Sequence, residues 1–311
     1  MTQQDLDRGQ PTKSCEATGK VVLGGARPWQ MESLTMQDEP HVSQLVASVG
    51  WGLAPGRLGA MLQVGKAFGS FADGSLIASS CLFPYGRELA ALGMVIVHPL
   101  WQRKGLGATV VKRCLETAGE LGVKRIGLLA TDAGYPLYRG LGFETIDRAH
   151  RYIGVPNPAA HDADRQRDME ILPFGEGDWM DVIRMDGEVT GVDRSETYRA
   201  FLKTVTTTSV ARANDGRLLG YGAATEVGKM LVIGPLYATE MSIAMELVVH
   251  LTQSFQGRVR IDIPAGQSAW MRSLRALGLR EMHVSPIMFY GDPSVPGRRE
   301  WQYGILDAAL L

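Results

Sequence analysis

Apolar residues in this chain fall into short runs of period two and longer stretches of helical spacing, and the two kinds alternate. A short strand is predicted around Met31–Met36. A helix follows near Asp38, where Glu39 and Pro40 suit a first turn, and another lies near Leu58–Val64. Residues 66–83 read as two strands joined at Asp73-Gly74. Residues 89–97, LAALGMVIV, are almost continuously apolar and predict a central strand buried on both faces. A helix from Gly107 carries Val110, Val111, Cys114, Leu115 and Ala118 on one stripe. A strand over 123–130, a short helix over Tyr135–Leu141 and a strand-like stretch over 144–154 complete the series.

The same order then recurs. Residues 210–224 predict a hairpin on Asp215-Gly216, 229–234 a strand and 242–255 a helix facing inward through Met245, Val248, Leu251 and Phe255. A strand over 258–265, a helix over 268–278 and a strand over 283–291 follow. Pro99-Leu100-Trp101 returns as Pro235-Leu236-Tyr237, and Leu141-Gly142-Phe143 as Leu277-Gly278-Leu279, both at an offset of 136. The two Asp-Gly turns are 142 apart. Matched order at a nearly constant offset predicts a duplication. Polar residues 1–28 read as a loose leader, and 154–168, with two prolines and many charges, as a linker between domains at 29–153 and 169–311.

Composition narrows the function. Thirty-two Lys and Arg against 33 Asp and Glu leave a net charge of −1, without the cationic excess that non-specific nucleic-acid binding uses. Three cysteines at unrelated spacings make neither a disulfide framework nor a CxxC zinc site, and the six histidines show no ligand pairing. No apolar run approaches the ~20 residues of a membrane helix, and the N-terminus lacks a signal-peptide core. The expectation is a cytoplasmic, metal-free α/β (α+β) protein with no nucleic-acid or membrane partner, a monomer or homodimer.

The chemistry concentrates in VHPLWQRKGLGATVVKRCLE. A buried strand ends at Val97, and Gln102-Arg103-Lys104-Gly105-Leu106-Gly107-Ala108 opens a helix. Free N–H groups and the helix dipole favour an anion there. Gly105 and Gly107 remove side chains that would hold it off, and Arg103 and Lys104 add charge. The expectation is a pyrophosphate cradle. It is neither GxxxxGK[ST] nor a GxGxxG fingerprint.

Gln102, Gly105 and Gly107 resemble the Gln/Arg-x-x-Gly-x-Gly/Ala signature of the GNAT acetyltransferase superfamily. Tyr138 ahead of Leu141-Gly142-Phe143 resembles its second mark, and the whole layout, with Gly191-Val192-Asp193-Arg194, is similar to tandem-domain, YitH-like members. The resemblance implies two GNAT-like domains, each a mixed sheet flanked by helices, and acetyl-CoA as acyl donor. The pantetheine arm would pair with the backbone of Val95, Ile96 and Val97, a backbone N–H would polarise the thioester carbonyl, and Thr131 would bond the donor where many members have Asn. Tyr138 would act as general acid while a primary amine of a small molecule attacks directly.

Where many members carry a strand glutamate this chain has Ala91, so no base is assigned; Glu88 and Asp132 are acidic and nearby but read more readily as solvated loop carboxylates, and His98 reads as either a surface residue or a relay. Cys81 and Cys114 read as core. At the 136 offset the second copy replaces Gln102, Arg103, Lys104, Gly105 and Gly107 by Ala238, Thr239, Glu240, Met241 and Ile243, and Tyr138 by Leu274. That copy is expected to be inert and to shape the acceptor site. Trp270, Phe83, Tyr85, Asp193 and Arg194 are candidate contacts, with core packing or surface ion pairing the plainer role for each. A CoA-binding sensor and an acetyltransferase for protein N-termini are the alternatives.

Overall fold

The computed structural model describes residues 29–157 and 169–311; the expected leader and most of the expected linker lie outside the described residues. The first repeat runs β1 (Gln30–Leu34), α1 (Glu39–Ser48), α2 (Arg57–Val64), β2 (Lys66–Ala72), β3 (Ser75–Tyr85), β4 (Leu89–Val97), α3 (Leu106–Glu120), β5 (Arg125–Leu129), α4 (Tyr135–Gly140) and β6 (Glu144–Gly154). The second runs β7 (Met169–Pro173), α5 (Trp179–Thr190), α6 (Ser195–Leu202), β8 (Thr207–Ala213), β9 (Leu218–Val227), β10 (Met230–Ala238), α7 (Met241–Thr252), β11 (Arg258–Pro264), α8 (Ser268–Ala276) and β12 (Leu279–Gly291). A short β13 (Gln302–Gly304) has no counterpart in the first repeat.

Local chemistry explains the boundaries. The Thr35 hydroxyl accepts the Gln37 N–H and the Asp38 carboxylate accepts the Thr35 N–H, which caps the turn into α1. Asp73 and Gly74 both take positive φ, 48° and 72°, the backbone that a tight hairpin turn requires.

All the strands join one sheet, ordered β1-β2-β3-β4-β5-β12-β6-β11-β10-β9-β8-β7, with β13 beside β10. The order is not that of two self-contained domains. β12, from the second repeat, pairs antiparallel with β5, and β6, from the first, pairs antiparallel with β11. Each repeat's last strand therefore completes the other's sheet, and β6 and β12 meet at the seam. Tyr152, Met288 and Phe289 are buried along these strands.

One sheet face is covered by α3 and α4 and, in the second repeat, by α7 and α8, over separate cores. The opposite face carries one core shared by both repeats. It holds Leu45 of α1, Met61 of α2, Val182 of α5 and Phe201 of α6, together with Ile305, Leu306 and Leu310.

β7, α5 and α6 were not read from the pattern. Their stretch is densely charged, and two of those charges are inside. Arg194 and Asp186, each 1% exposed at the side chain, are paired at 2.5 Å, and Arg194 also donates to the Tyr237 hydroxyl at 2.7 Å. The surface ion pair expected for Arg194 is thus a buried one, because its fork is filled by Asp186, Tyr237 and the carbonyl of Leu311. Removing one partner strands a charge in the core, so Arg194→Met is expected to cost about 3–5 kcal/mol in chemical denaturation; a loss below about 1 kcal/mol would contradict this reading.

The structure also corrects the repeat register. Pro99-Leu100-Trp101 forms a tight turn after β4, whereas Pro235-Leu236-Tyr237 lies within β10. The Leu-Gly match holds: Gly142 and Gly278 both take positive φ, between α4 and β6 and between α8 and β12.

Candidate active site

The site grows from an irregularity in β4. Along β3, Ser79 faces Ile96 and Cys81 faces Gly93, so β4 carries extra length between them. Met94 takes φ +52°, rare for a bulky residue, and the buried Ser79 hydroxyl donates to its carbonyl at 2.9 Å. On its other side β4 pairs with β5 only at Ala90 and Ala91. Beyond Ala91 the two parallel strands part, and on that side the β4 edge has no strand partner among the described residues.

The opening leads to the N-terminus of α3. Gln102 donates its amide to the Val97 carbonyl at 3.2 Å, which folds the loop back onto the strand end. Arg103 and Gly105 take positive φ, 60° and 81°. The Lys104 ammonium lies 4.5 Å from the centre of the Trp101 ring. The first intrahelical bond runs from the Thr109 N–H to the Gly105 carbonyl, so Leu106, Gly107 and Ala108 supply the donors that a helix leaves free in its first turn. A Cβ on Gly107 would lie 3.1 Å from Leu137 of α4, while one on Gly105 would meet nothing within 4 Å. The cradle is open at Gly105 and tight at Gly107.

Tyr138 stands on α4, 7% exposed. Its ring packs edge-on against Phe143 at 5.8 Å, and Phe143 in turn against Tyr290 of β12. Gly134 makes room, since a Cβ there would come within 2.8 Å of the Tyr138 ring, and the Thr131 hydroxyl accepts the Gly134 N–H at 3.1 Å. Among the described residues no hydrogen bond involves the Tyr138 hydroxyl. Burial, and then the nearby Cys114, push its pKa above the usual tyrosine value, so it stays protonated.

Tyr138, Thr131, Met94 and Val95 line one cavity of about 420 Å³, whose far wall belongs to the second repeat. There Val232 and Gly234 of β10 approach, and the C-terminal turn closes the space. Asp307 holds that turn by accepting the Ala309 N–H, and Ala309 rests on Gly93, where any Cβ would collide with it at 2.6 Å.

The second copy of this arrangement is filled. Only Thr239 and Glu240 separate β10 from α7, so the loop that carries Gln102 to Gly105 has no counterpart. Ala238 is instead the last residue of β10, and the pairing of Gln102 with Ala238 and of its neighbours does not hold in space. β13 lies along β10 at Leu236 and Tyr237, and the Trp270 indole N–H donates to the Tyr303 carbonyl at 3.0 Å. Leu274, opposite Tyr138 in the repeat, is fully buried.

A relative in Bacillus subtilis (strain 168), the uncharacterized N-acetyltransferase YitH, is 31% identical over 288 residues, covering 90% of this chain and 99% of its own. The chain belongs to the GNAT acetyltransferase family. Models of the GNAT family and of a GNAT domain match residues 51–143 and 182–304, so both repeats are GNAT domains. The fold agrees with a crystal structure assigned to the acetyltransferases from Pyrococcus horikoshii, at TM-score 0.75 and 21% identity over 94% of this chain and 99% of that one. It also agrees with a tandem GNAT protein from the clavulanic acid biosynthesis pathway, at TM-score 0.63 and 14% identity over 85% and 98%.

Of the residues expected in a GNAT site, Val95, Thr131 and Tyr138 face the cavity, and Gln102 to Ala108 form the loop and first turn. Ile96 and Leu106 are buried, so only their backbone is offered. Glu88 is engaged with Lys124 at 2.6 Å, and His98 accepts the Leu100 N–H; neither lines the cavity, nor does Asp132. Phe83, Tyr85 and Trp270 are core residues, and Asp193 accepts the Ser195 N–H at the start of α6. Cys81 and Cys114 are buried thiols, burial pushing Cys114 up to about 12. Sequence reasoning missed Arg57, Arg151, Arg260, Asp262 and Asp307, which line the cavity. Arg151, Arg260 and Asp262 come from strands that the exchange brings together, and Asp307 comes from the C-terminal turn.

Proposed function

We propose that this acetyltransferase moves the acetyl group of acetyl-CoA directly to a primary amine of a small molecule, at one site in the first repeat. The observation that carries this reading is the shared cavity, lined by Met94 and Val95 of the bulged β4 together with Thr131 and Tyr138. The residues fit the donor. The free β4 edge past Ala91 offers backbone groups to a pantetheine arm, and the open face at Gly105 leaves the α3 N–H groups approachable. Thr131 lines the same cavity, where its hydroxyl would bond the donor.

Acetyl-CoA supplies an activated acyl group and a thiolate leaving group. A backbone N–H near the bulge would polarise the carbonyl, a hydrogen bond worth most where water is excluded. The chamber holds the amine against it, so that proximity carries much of the acceleration. Tyr138 offers its proton to the departing sulfur. Among the described residues no unpaired carboxylate lines the cavity, and we assign deprotonation of the ammonium to solvent before binding.

In the second repeat β13 and the shortened β10–α7 connection argue against a donor site, and its role is to wall the acceptor chamber. That wall favours a small acceptor over a protein N-terminus. Purified chain should release free thiol from acetyl-CoA when supplied with small primary amines. Saturable CoA binding with no thiol release across a broad amine panel would instead favour a sensor.

A further inference from the structure

We propose that the acceptor of this enzyme is an amine that also carries a carboxylate, held by Arg151 and Arg260 at the end of the chamber that the strand exchange builds. The inference rests on the reading of this cavity as the acceptor site of an acetyltransferase.

Five charged residues line the chamber: Arg57, Arg151, Arg260, Asp262 and Asp307. Arg57 and Asp307 are matched at 2.9 Å. The guanidinium also donates to Thr204 and Thr225 and stacks 3.7 Å from the Phe201 ring, so Arg57 is committed to joining α2 and α6. The second group is unbalanced. Arg151 of β6 faces Asp262 of β11 in the strand register and donates to it through Nε and Nη2, at 2.9 and 3.2 Å. Arg260, two residues before Asp262 on the same face of β11, donates to the same carboxylate through its own Nε and Nη2. Burial pushes Asp262 up, but hydrogen bonds from Arg260 and Arg151 outweigh it and hold the carboxyl below its usual range. One carboxylate therefore serves two guanidiniums.

Arginine does not lose its proton in this setting, so the chamber carries one positive charge in excess. The Nη1 groups of Arg151 and Arg260 make no hydrogen bond to a described residue. Such a site disfavours a plain alkylammonium and suits a monoanion, and a planar guanidinium fork matches a carboxylate. A phosphate ester, nearer −2, would overcompensate the single surplus charge. The excess serves the chemistry as well: with no free base present, a positive chamber favours the neutral, nucleophilic form of the amine.

The test pairs alkylamines with amino carboxylates of the same chain length, 4-aminobutanoate against butylamine among them, in the acetyl-CoA thiol-release assay on the full chain. The amino carboxylates are expected to show kcat/KM at least 10-fold above their partners. In Arg260→Gln and Arg151→Gln that ratio should fall by about 10- to 100-fold, the scale of a charge-assisted hydrogen bond. Each variant keeps one arginine on Asp262, and a melting curve checks folding. Equal ratios in the wild type, or ratios unmoved in two folded variants, overturn the proposal. Absence of turnover with every amine would count against the acetyltransfer reading; titration of the amino carboxylates into CoA-loaded protein then decides the anion site alone. Saturable binding weakened by Arg260→Gln supports it, and no binding overturns it.

Discussion

Tyr138→Phe is expected to lower kcat by about 10²- to 10⁴-fold, the range of a well-placed general acid, while leaving CoA affinity and the melting temperature close to those of the wild type. The expectation follows from the position of the hydroxyl. No hydrogen bond among the described residues involves it, so its removal orphans no described partner, and the ring keeps its contact with Phe143. The pH profile carries a second signature. Burial raises the pKa of Tyr138, and Cys114 adds to the shift, so the proton-bearing form persists as pH rises past the ordinary tyrosine value of ~10. The rate should climb with pH as the acceptor amine loses its proton, with no descending limb below pH ~10. A falling limb in that range, or a Phe variant within threefold of wild type, would remove Tyr138 as the acid. The departing thiolate, conjugate base of a thiol of ordinary acidity, is a weaker base than tyrosinate, so the hydroxyl acts first as a hydrogen-bond donor to the sulfur.

Gly105→Ile should abolish CoA binding, a loss of at least 100-fold in calorimetric affinity, in a protein that still folds. A Cβ at Gly105 meets no protein atom within 4 Å, so the added side chain fills open space in front of the α3 N–H groups. The backbone there has φ +81°, which costs an L residue about 1–2 kcal/mol. Gly122, at the other end of α3, has φ +69° and is also uncrowded. Gly122→Ile therefore carries the same kind of backbone strain without touching the cradle and should keep CoA affinity. Equal losses in both variants would assign the effect to strain.

Much of the fold was legible because the signals were local. The nearly unbroken apolar run at 89–97 is β4 residue for residue, and the helical stripe from Gly107 is α3 to within one residue at its start. The two Asp-Gly hairpins and the Leu-Gly turns were equally readable, since positive φ leaves a mark in residue type. The segment holding α5 and α6 is not, because Asp186 and Arg194 neutralise each other inside the core, where a dense charge pattern hides the buried face. The strand exchange left no mark either. β6 and β12 have the same pattern whichever neighbour they pair with, so the sequence does not say that Arg151 lands opposite Asp262.

The same limit applied to the site. Gln102 to Ala108 and Tyr138 are proposed from the sequence because a phosphate cradle and an acid each need particular residue types near one another in the chain. The acceptor chamber draws on α2, β6, β11 and the C-terminal turn, which only the three-dimensional arrangement brings together. The inertness proposed for the second repeat draws on further grounds in the structure. Glu240 and Ile243 were the stated reasons, but the larger obstacles are the missing loop before α7 and the strand β13 along β10.

The central claim is that one repeat works and the other walls it, and calorimetric titration of CoA into the full chain tests it most directly. The account predicts one site per chain, lost in Gly105→Ile. Two equivalent sites, or one that survives that substitution, would contradict it.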